Sequence, residues 1–394
     1  MAGSREDNQE QSKLDVRNYA DVQSGVRKMK IVCVVSARPN FMKIAPILEA
    51  FKTLGTAQTL LVHTGQHYDD KMSGVFFREL GIPAPDVSLE CSSSGIPQTA
   101  QMMVEFEKVC RSEKPDGIVV VGDVNGTLAT AFVASRLDVR IAHVEAGLRS
   151  FDRTMPEEIN RIVVDQLADL LFCTERDAIV NLEREGISRS RICLVGNVMI
   201  DSLMKNLERA KNSTILEKLG FTPKSYSVAT LHRPSLVDNP ESLCEILDAF
   251  DVILRESPIV WPVHPRTKKN IVAFGLEERL RSTPNLRLIE PLGYLEFLKL
   301  NANARCVLTD SGGLQEETTV LKVPCITIRD STERPITCEI GTNQLAGVSA
   351  EGVLAAWRRV VRGEYGARAV PELWDGRAAE RVAQEILIRW GRNY

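Results

Sequence analysis

The pattern that most constrains this chain is an alternation of short β-branched runs with amphipathic stretches, which starts at Lys30 and starts again after Asn197. The first series predicts strands at Lys30–Ser36, Thr59–Thr64, Gly117–Gly122, Arg140–Val144, Leu170–Cys173 and Ile192–Val195, with helices such as Phe41–Leu54 and Ala129–Arg136 between them. The second predicts strands at Tyr226–Leu231, Ile259–Val263, Leu286–Ile289, Cys306–Thr309 and Cys325–Ile328. Strands that are apolar along their whole length need cover on both faces, and intervening helices supply it, so the sheets are expected to be parallel. The fold class read from this pattern is α/β: two Rossmann-like, doubly wound parallel-sheet domains facing a cleft. The expected division is 29–197 and 198–372, with an amphipathic segment, 373–394, packing back on the first domain. Residues 1–28 are polar and charged and are expected to be a mobile extension.

Composition enters as a set of exclusions. A net charge of −3 over 394 residues gives no bulk attraction to nucleic acid or to an anionic membrane, so any anion site must be local. No apolar run approaches the ~20 residues of a membrane span, and the first residues lack the apolar core of a signal peptide. The nine cysteines form no CxxC pair and several lie inside apolar runs, as expected of reduced thiols in a cytoplasmic protein. The five histidines are too dispersed to suggest a metal site. No metal and no cofactor is expected.

Ligands of parallel sheets sit beyond the C-terminal strand ends, and the unusual polar clusters fall there. The first strand leads to Arg38 and Lys43, two cations beside a helix start that suit an anionic substrate. Asp123 follows another strand, where it can serve either as a helix cap or as a functional acid. Glu145 emerges from an apolar strand in His143-Val144-Glu145-Ala146-Gly147-Leu148-Arg149. Glu157 lies in Pro156-Glu157-Glu158-Ile159-Asn160-Arg161, which is also good helix-start chemistry. Asp123, Glu145 and Glu157 can converge in the cleft and shift one another's pKa values, as acid/base work requires.

In the second series His232-Arg233 and His264 stand at successive strand ends, where they can neutralise a phosphate. Thr309-Asp310-Ser311-Gly312-Gly313-Leu314-Gln315-Glu316-Glu317 follows a strand and opens a helix. Ser311, Gly312 and Gly313 can offer hydroxyl and backbone N–H groups to a diphosphate, and Glu317 can accept both hydroxyls of a ribose. Arg334 adds a cation after the next strand. The GxGxxG fingerprint and the P-loop are both absent from the chain.

Taken in order, these segments together with Thr64-Gly65-Gln66-His67 and Thr332-Glu333-Arg334-Pro335 resemble the non-hydrolysing UDP-N-acetylglucosamine 2-epimerases, from about Lys30 to the C-terminus. The resemblance implies a GT-B fold, a UDP-sugar substrate, no cofactor and a homodimer. It implies acid/base roles for Asp123, Glu145 and Glu157, and a role for His232 in the departure of UDP. It implies nucleotide or substrate contacts for Arg38, Lys43, Arg161, Arg233, His264, Ser311, Gly312, Gly313, Glu317 and Arg334, and for Phe297 a position against the uracil. Departures are Ser36 in place of a usual glycine, Val124 and Gly126 in place of Thr and Ser, and Ser235-Leu236 in place of an acid and an amide. Regulation by substrate through the Gln66-His67 region is not carried over, because Tyr68-Asp69-Asp70 follows it. The competing readings are an epimerase of UDP-2,3-diacetamido-2,3-dideoxyglucuronate, a hydrolysing epimerase, a GT-B glycosyltransferase and a non-catalytic UDP-sugar sensor.

Overall fold

A computed structural model describes residues 28–36, 38–65, 81, 83–91, 95–366 and 368–391, with the side chains of Arg38 and Pro39 outside the description. The expectations placed on residues 1–27 and on Gln66-His67 lie outside the described residues.

The first sheet has seven parallel strands: β1 Met29–Val35, β2 Ala57–His63, β3 Val87–Ser88, β4 Gly117–Val121, β5 Arg140–Val144, β6 Leu170–Cys173 and β7 Ile192–Leu194, in the order β3-β2-β1-β4-β5-β6-β7. The second has six: β8 Ser227–Thr230, β9 Ile259–Pro262, β10 Leu286–Ile289, β11 Val307–Thr309, β12 Cys325–Thr327 and β13 Asn343–Leu345, in the order β10-β9-β8-β11-β12-β13. Both are doubly wound α/β sheets, as the sequence pattern implies. In both, the strand order reverses beside the first strand, so the switch points lie between β1 and β4 and between β8 and β11.

Continuous apolar strands divide their residues between two helical layers because side chains alternate across a strand. From β1, Ile31, Cys33 and Val35 enter one core while Val32 and Val34 enter the other. From β9, Ile259 and Trp261 are separated from Val260 in the same way. Two short edge strands, β3 and β13, were absent from the sequence pattern. Asn343 and Gln344 carry no β-branched signal; the Asn343 side chain ties β13 to β12 by accepting from Thr327 Oγ1 at 2.6 Å.

The helix Val198–Ala210 connects the two halves. Asn197 caps it, with Oδ1 accepting from the Met199 N–H at 2.9 Å. Its buried face (Val198, Met199, Ile200, Leu203) shares one core with the first sheet and with Tyr294 and Leu298 of the second half. The helix Ala378–Gly391 buries Val382, Ala383, Ile386 and Trp390 in that core. Trp390 lies so close to β4 that a Cβ on Gly117 would stand 2.2 Å from its ring. Among the described residues no helix is long and apolar enough to cross a membrane, and no His, Cys, Asp and Glu side chains group in a way that could hold a metal.

Candidate active site

A cavity of about 740 Å³ opens between the two sheets, beyond their C-terminal strand ends. Of the expected site residues, Lys43, Asp123, Glu157, Arg161, His232, Arg233, His264, Phe297, Ser311, Gly312, Gly313, Glu317 and Arg334 line it. Glu145 lies behind the wall and is 3% exposed. Arg38 begins the helix Arg38–Leu54 after β1, but its side chain lies outside the described residues.

On the side of the first sheet, acids come paired with cations. Val124, not Asp123, is the N-cap residue of the helix Asn125–Arg136, so the capping role is not the one Asp123 plays. Its Oδ2 instead accepts from Arg161 Nη1 at 2.5 Å, and Arg161 Nη2 donates to Glu158 at 2.8 Å. Asn160 Nδ2 donates to the Asp123 carbonyl at 2.8 Å, which fixes the turn as well as the side chain. Glu157 opens the helix Pro156–Leu167 and is exposed to the cavity, whereas its neighbour Glu158 is buried.

Glu145 has a φ of 69°, a left-handed conformation that side chains other than glycine seldom adopt. Its N–H and that of Ala146 both donate to the Phe172 carbonyl, which holds the bend. The Glu145 carboxylate pairs with Lys43 and lies 3.5 Å from Arg334 Nη2. Burial alone would push this carboxyl up, but Lys43 and Arg334 more than offset it and hold the group below its ordinary range. At Glu145, cations rather than the acids Asp123 and Glu157 set the charge. Beneath it, both nitrogens of the buried His143 ring are engaged, Nδ1 with Asp165 at 2.7 Å and Nε2 with the Gly122 carbonyl at 2.9 Å.

Two departures from the family pattern explain each other. A Cβ on Gly126 would stand 2.0 Å from Ser36 Oγ. Ser36 thus fills the space that a side chain at 126 would need.

On the side of the second sheet, the groups suit an anion. His232 is 39% exposed at its side chain, and its Nδ1 lies 2.7 Å from the buried Asp310. Arg233 Nε donates to the Asp310 carbonyl at 3.0 Å, and His264 caps the helix Pro265–Ala273 by accepting from the Arg266 N–H at 3.2 Å. Gly312 and Gly313 form the first turn of the helix Gly312–Leu321, where N–H groups are unused by the helix itself. A Cβ on Gly312 would meet Glu333 Oε1 at 2.5 Å, so a side chain there would push the Glu333 carboxylate aside. The Ser311 N–H, expected to face a diphosphate, instead donates to Thr309 Oγ1 at 3.0 Å, leaving the hydroxyl as its contribution. Glu317 forms no ion pair among the described residues; burial, then Glu316, pushes it up to about 8.

Arg334, expected to be a substrate cation, is held by acids from both halves. Its Nε lies 2.5 Å from Glu316, which also accepts from Asn197 Nδ2 at 2.9 Å. A polar chain of two cations, two carboxylates and the Asn197 amide thus runs Lys43–Glu145–Arg334–Glu316–Asn197 across the cleft. Glu316, Asp310 and Glu158 belong to the site, yet sequence reasoning gave them no role. Asp310 had a visible signal, its place at a strand end. Glu316 had none, because it differs from Glu317 only in the face of the helix it occupies.

The family model for UDP-N-acetylglucosamine 2-epimerase matches residues 49–387. A UDP-N-acetylglucosamine 2-epimerase of Methanocaldococcus jannaschii is 45% identical over 334 residues, spanning 83% of this chain and 91% of the relative. A UDP-2,3-diacetamido-2,3-dideoxy-D-glucuronate 2-epimerase of Pseudomonas aeruginosa is 43% identical over 336 residues, spanning 84% and 92%. The crystal structure of the M. jannaschii UDP-GlcNAc 2-epimerase in complex with UDP-GlcNAc and UDP superposes with a TM-score of 0.83 at 41% identity, over 91% of this chain and 100% of that one. With its two facing doubly wound sheets in the GT-B arrangement, this chain belongs to the UDP-N-acetylglucosamine 2-epimerase family.

Proposed function

We propose that the protein interconverts UDP-N-acetylglucosamine and UDP-N-acetylmannosamine without hydrolysis, by anti elimination of UDP to a 2-acetamidoglucal and re-addition. C2 of the sugar is not adjacent to a carbonyl, so its proton is too weakly acidic for simple removal and return. Elimination avoids this difficulty: a base takes the C2 proton, the C1–O electron pair leaves with UDP, and re-addition delivers a proton to the opposite face. The chemistry calls for acids and bases on one side and anion stabilisation on the other. The observation that carries the reading is that Asp123 and Glu157 open onto the same cavity as His232 and the Gly312-Gly313 turn. In this scheme Asp123, Glu145 and Glu157 handle protons and His232 assists the departing UDP. Lys43, Arg161, Arg233, His264, Phe297, Ser311, Glu317, Arg334 and Arg38 bind the substrate. The working unit in this proposal is a cytoplasmic homodimer whose protomer divides at about residue 197, with no metal or cofactor.

A second reading is supported by the P. aeruginosa relative, whose identity of 43% is close to the 45% of the M. jannaschii enzyme. It makes the substrate UDP-2,3-diacetamido-2,3-dideoxyglucuronate, with the same chemistry at C2. Incubation of each UDP-sugar in deuterated water, followed by proton NMR, tests both. The expected product is UDP-N-acetylmannosamine carrying deuterium at C2, with no free sugar. Free N-acetylmannosamine would identify a hydrolase, and deuterium only in the uronate would establish the second reading.

A further inference from the structure

Asp310 lies just beyond β11, wholly buried, at the switch point of the second sheet. Its carboxylate is turned entirely towards the turn that follows β8. Oδ2 accepts from the N–H groups of both His232 and Arg233, each at 2.7 Å. Oδ1 lies 2.7 Å from His232 Nδ1, at ion-pair distance but short of full hydrogen-bond alignment. Burial would push the Asp310 carboxyl up, but His232 and the two backbone donors outweigh it and hold the group below its ordinary range. An ionised carboxylate accepts hydrogen bonds and cannot donate them, so the ring nitrogen facing it must carry a proton. The proton at Nδ1 leaves Nε2 as the nitrogen for a ligand on this partly exposed ring at the cavity wall.

We propose that Asp310 is a positioning residue for the reaction: it holds His232 by Nδ1, so that the imidazolium form donates its Nε2 proton to the diphosphate as the C1–O bond breaks and is left neutral with its remaining proton on Nδ1. The electron pair of that bond leaves with UDP, the C2 proton goes to the first-domain base, and the Nε2 proton returns to His232 on re-addition. A buried aspartate fixes the orientation and tautomer of a histidine in this way, and stabilises the imidazolium, without itself taking up a proton. The same carboxylate sets the backbone of the turn, so orientation of the ring and of the strand end are one arrangement. The inference rests on the UDP-elimination reading, and its first test is independent of turnover.

That test is NMR of the full chain labelled with 15N-histidine, in which only five histidines contribute. In its neutral form the wild-type His232 should carry its proton on Nδ1. In Asp310→Asn the backbone N–H groups of 232 and 233 claim the amide oxygen, the amide nitrogen meets Nδ1, and the proton should move to Nε2. Kinetically, Asp310→Asn should lower kcat by about 10²- to 10⁴-fold, with KM changed by less than about threefold for a transition-state effect. In a His232→Gln background the same substitution should cost less than about twofold, because the two residues act as a unit. An unprotonated Nδ1 in the wild type would overturn the proposal. So would an equal loss with and without His232, which is the behaviour of a purely structural clamp on the turn. If the wild type shows the expected tautomer yet fails to eliminate UDP, the pairing stands and the substrate reading falls.

Discussion

The two halves of this molecule repeat one strand order and put their polar clusters at the same topological place, yet they treat charge in opposite ways. Beside β1 and β4 the ionised groups satisfy one another: Asp123 with Arg161, Glu158 with Arg161, and Glu145 with Lys43. Beside β8 and β11 the aspartate is spent on the backbone and ring of the turn at His232, and His232 and the first turn of the helix Gly312–Leu321 both line the cavity. Beside β1 and β4 these three carboxylates are held by cations; beside β8 and β11 acids are paired too, Glu316 with Arg334 and Glu333 with Arg329, but His232 and the Gly312-Gly313 turn are presented to the cavity as places for negative charge. A shared fold therefore fixes where a site lies, and the loops after each strand decide what it does.

The strongest way to break this contrast is to neutralise the acids. Asp123→Asn, Glu145→Gln and Glu157→Gln are each expected to lower turnover by about 10³-fold or more, with UDP affinity, measured by calorimetry, nearly unchanged. Normal turnover in all three would remove the first half from the chemistry. The tight fit between β1 and the Asp123 turn is tested by Gly126→Ser, whose Cβ would collide with Ser36. It is expected to cost about 1–3 kcal/mol in chemical denaturation, and Ser36→Gly in the same chain should restore part of it, because Thr64 Oγ1 still stands 2.8 Å from the added Cβ. If the double variant is no more stable than the single, the two positions do not compensate.

On the receiving side, Gly312→Ala should displace Glu333, which Arg329 holds at 2.8 Å, and crowd the helix start. UDP binding should weaken about tenfold, or ~1.4 kcal/mol, and an unchanged affinity would separate that turn from the diphosphate. The smallest effect sharpens the rule that first-half acids are paired. Glu175 is buried there with no hydrogen-bond partner for Oε2 among the described residues, and burial pushes it up to about 8 although Arg334 opposes the shift. A carboxyl raised in the folded state stabilises the fold fully below its ordinary range near 4.5, and that contribution is lost as pH rises towards 8. Glu175→Gln should flatten the fall in stability between those values, in denaturation curves recorded across the window. An unaltered pH slope would show that Glu175 is ionised throughout.

Much of the site was legible because strand ends can be located from apolar periodicity, and loops after strand ends are where parallel sheets bind. Asp123, Glu157, His232 and Gly312 were found this way, and all four line the cavity. The partnerships were not legible. Nothing in the local sequence states that Arg334, 189 residues from Glu145, lies between that carboxylate and Glu316. Nor does it state that the Ser311 N–H is consumed by Thr309, or that Asp310 serves a turn 78 residues earlier.

By itself the sequence determined the two parallel sheets, their helices and the list of reactive side chains, because these follow from short-range periodicity and residue chemistry. Tertiary structure alone decided which of those side chains are charged, which are paired and which face the cavity. Those properties depend on burial and on partners brought together from distant strand ends, and no local pattern encodes either.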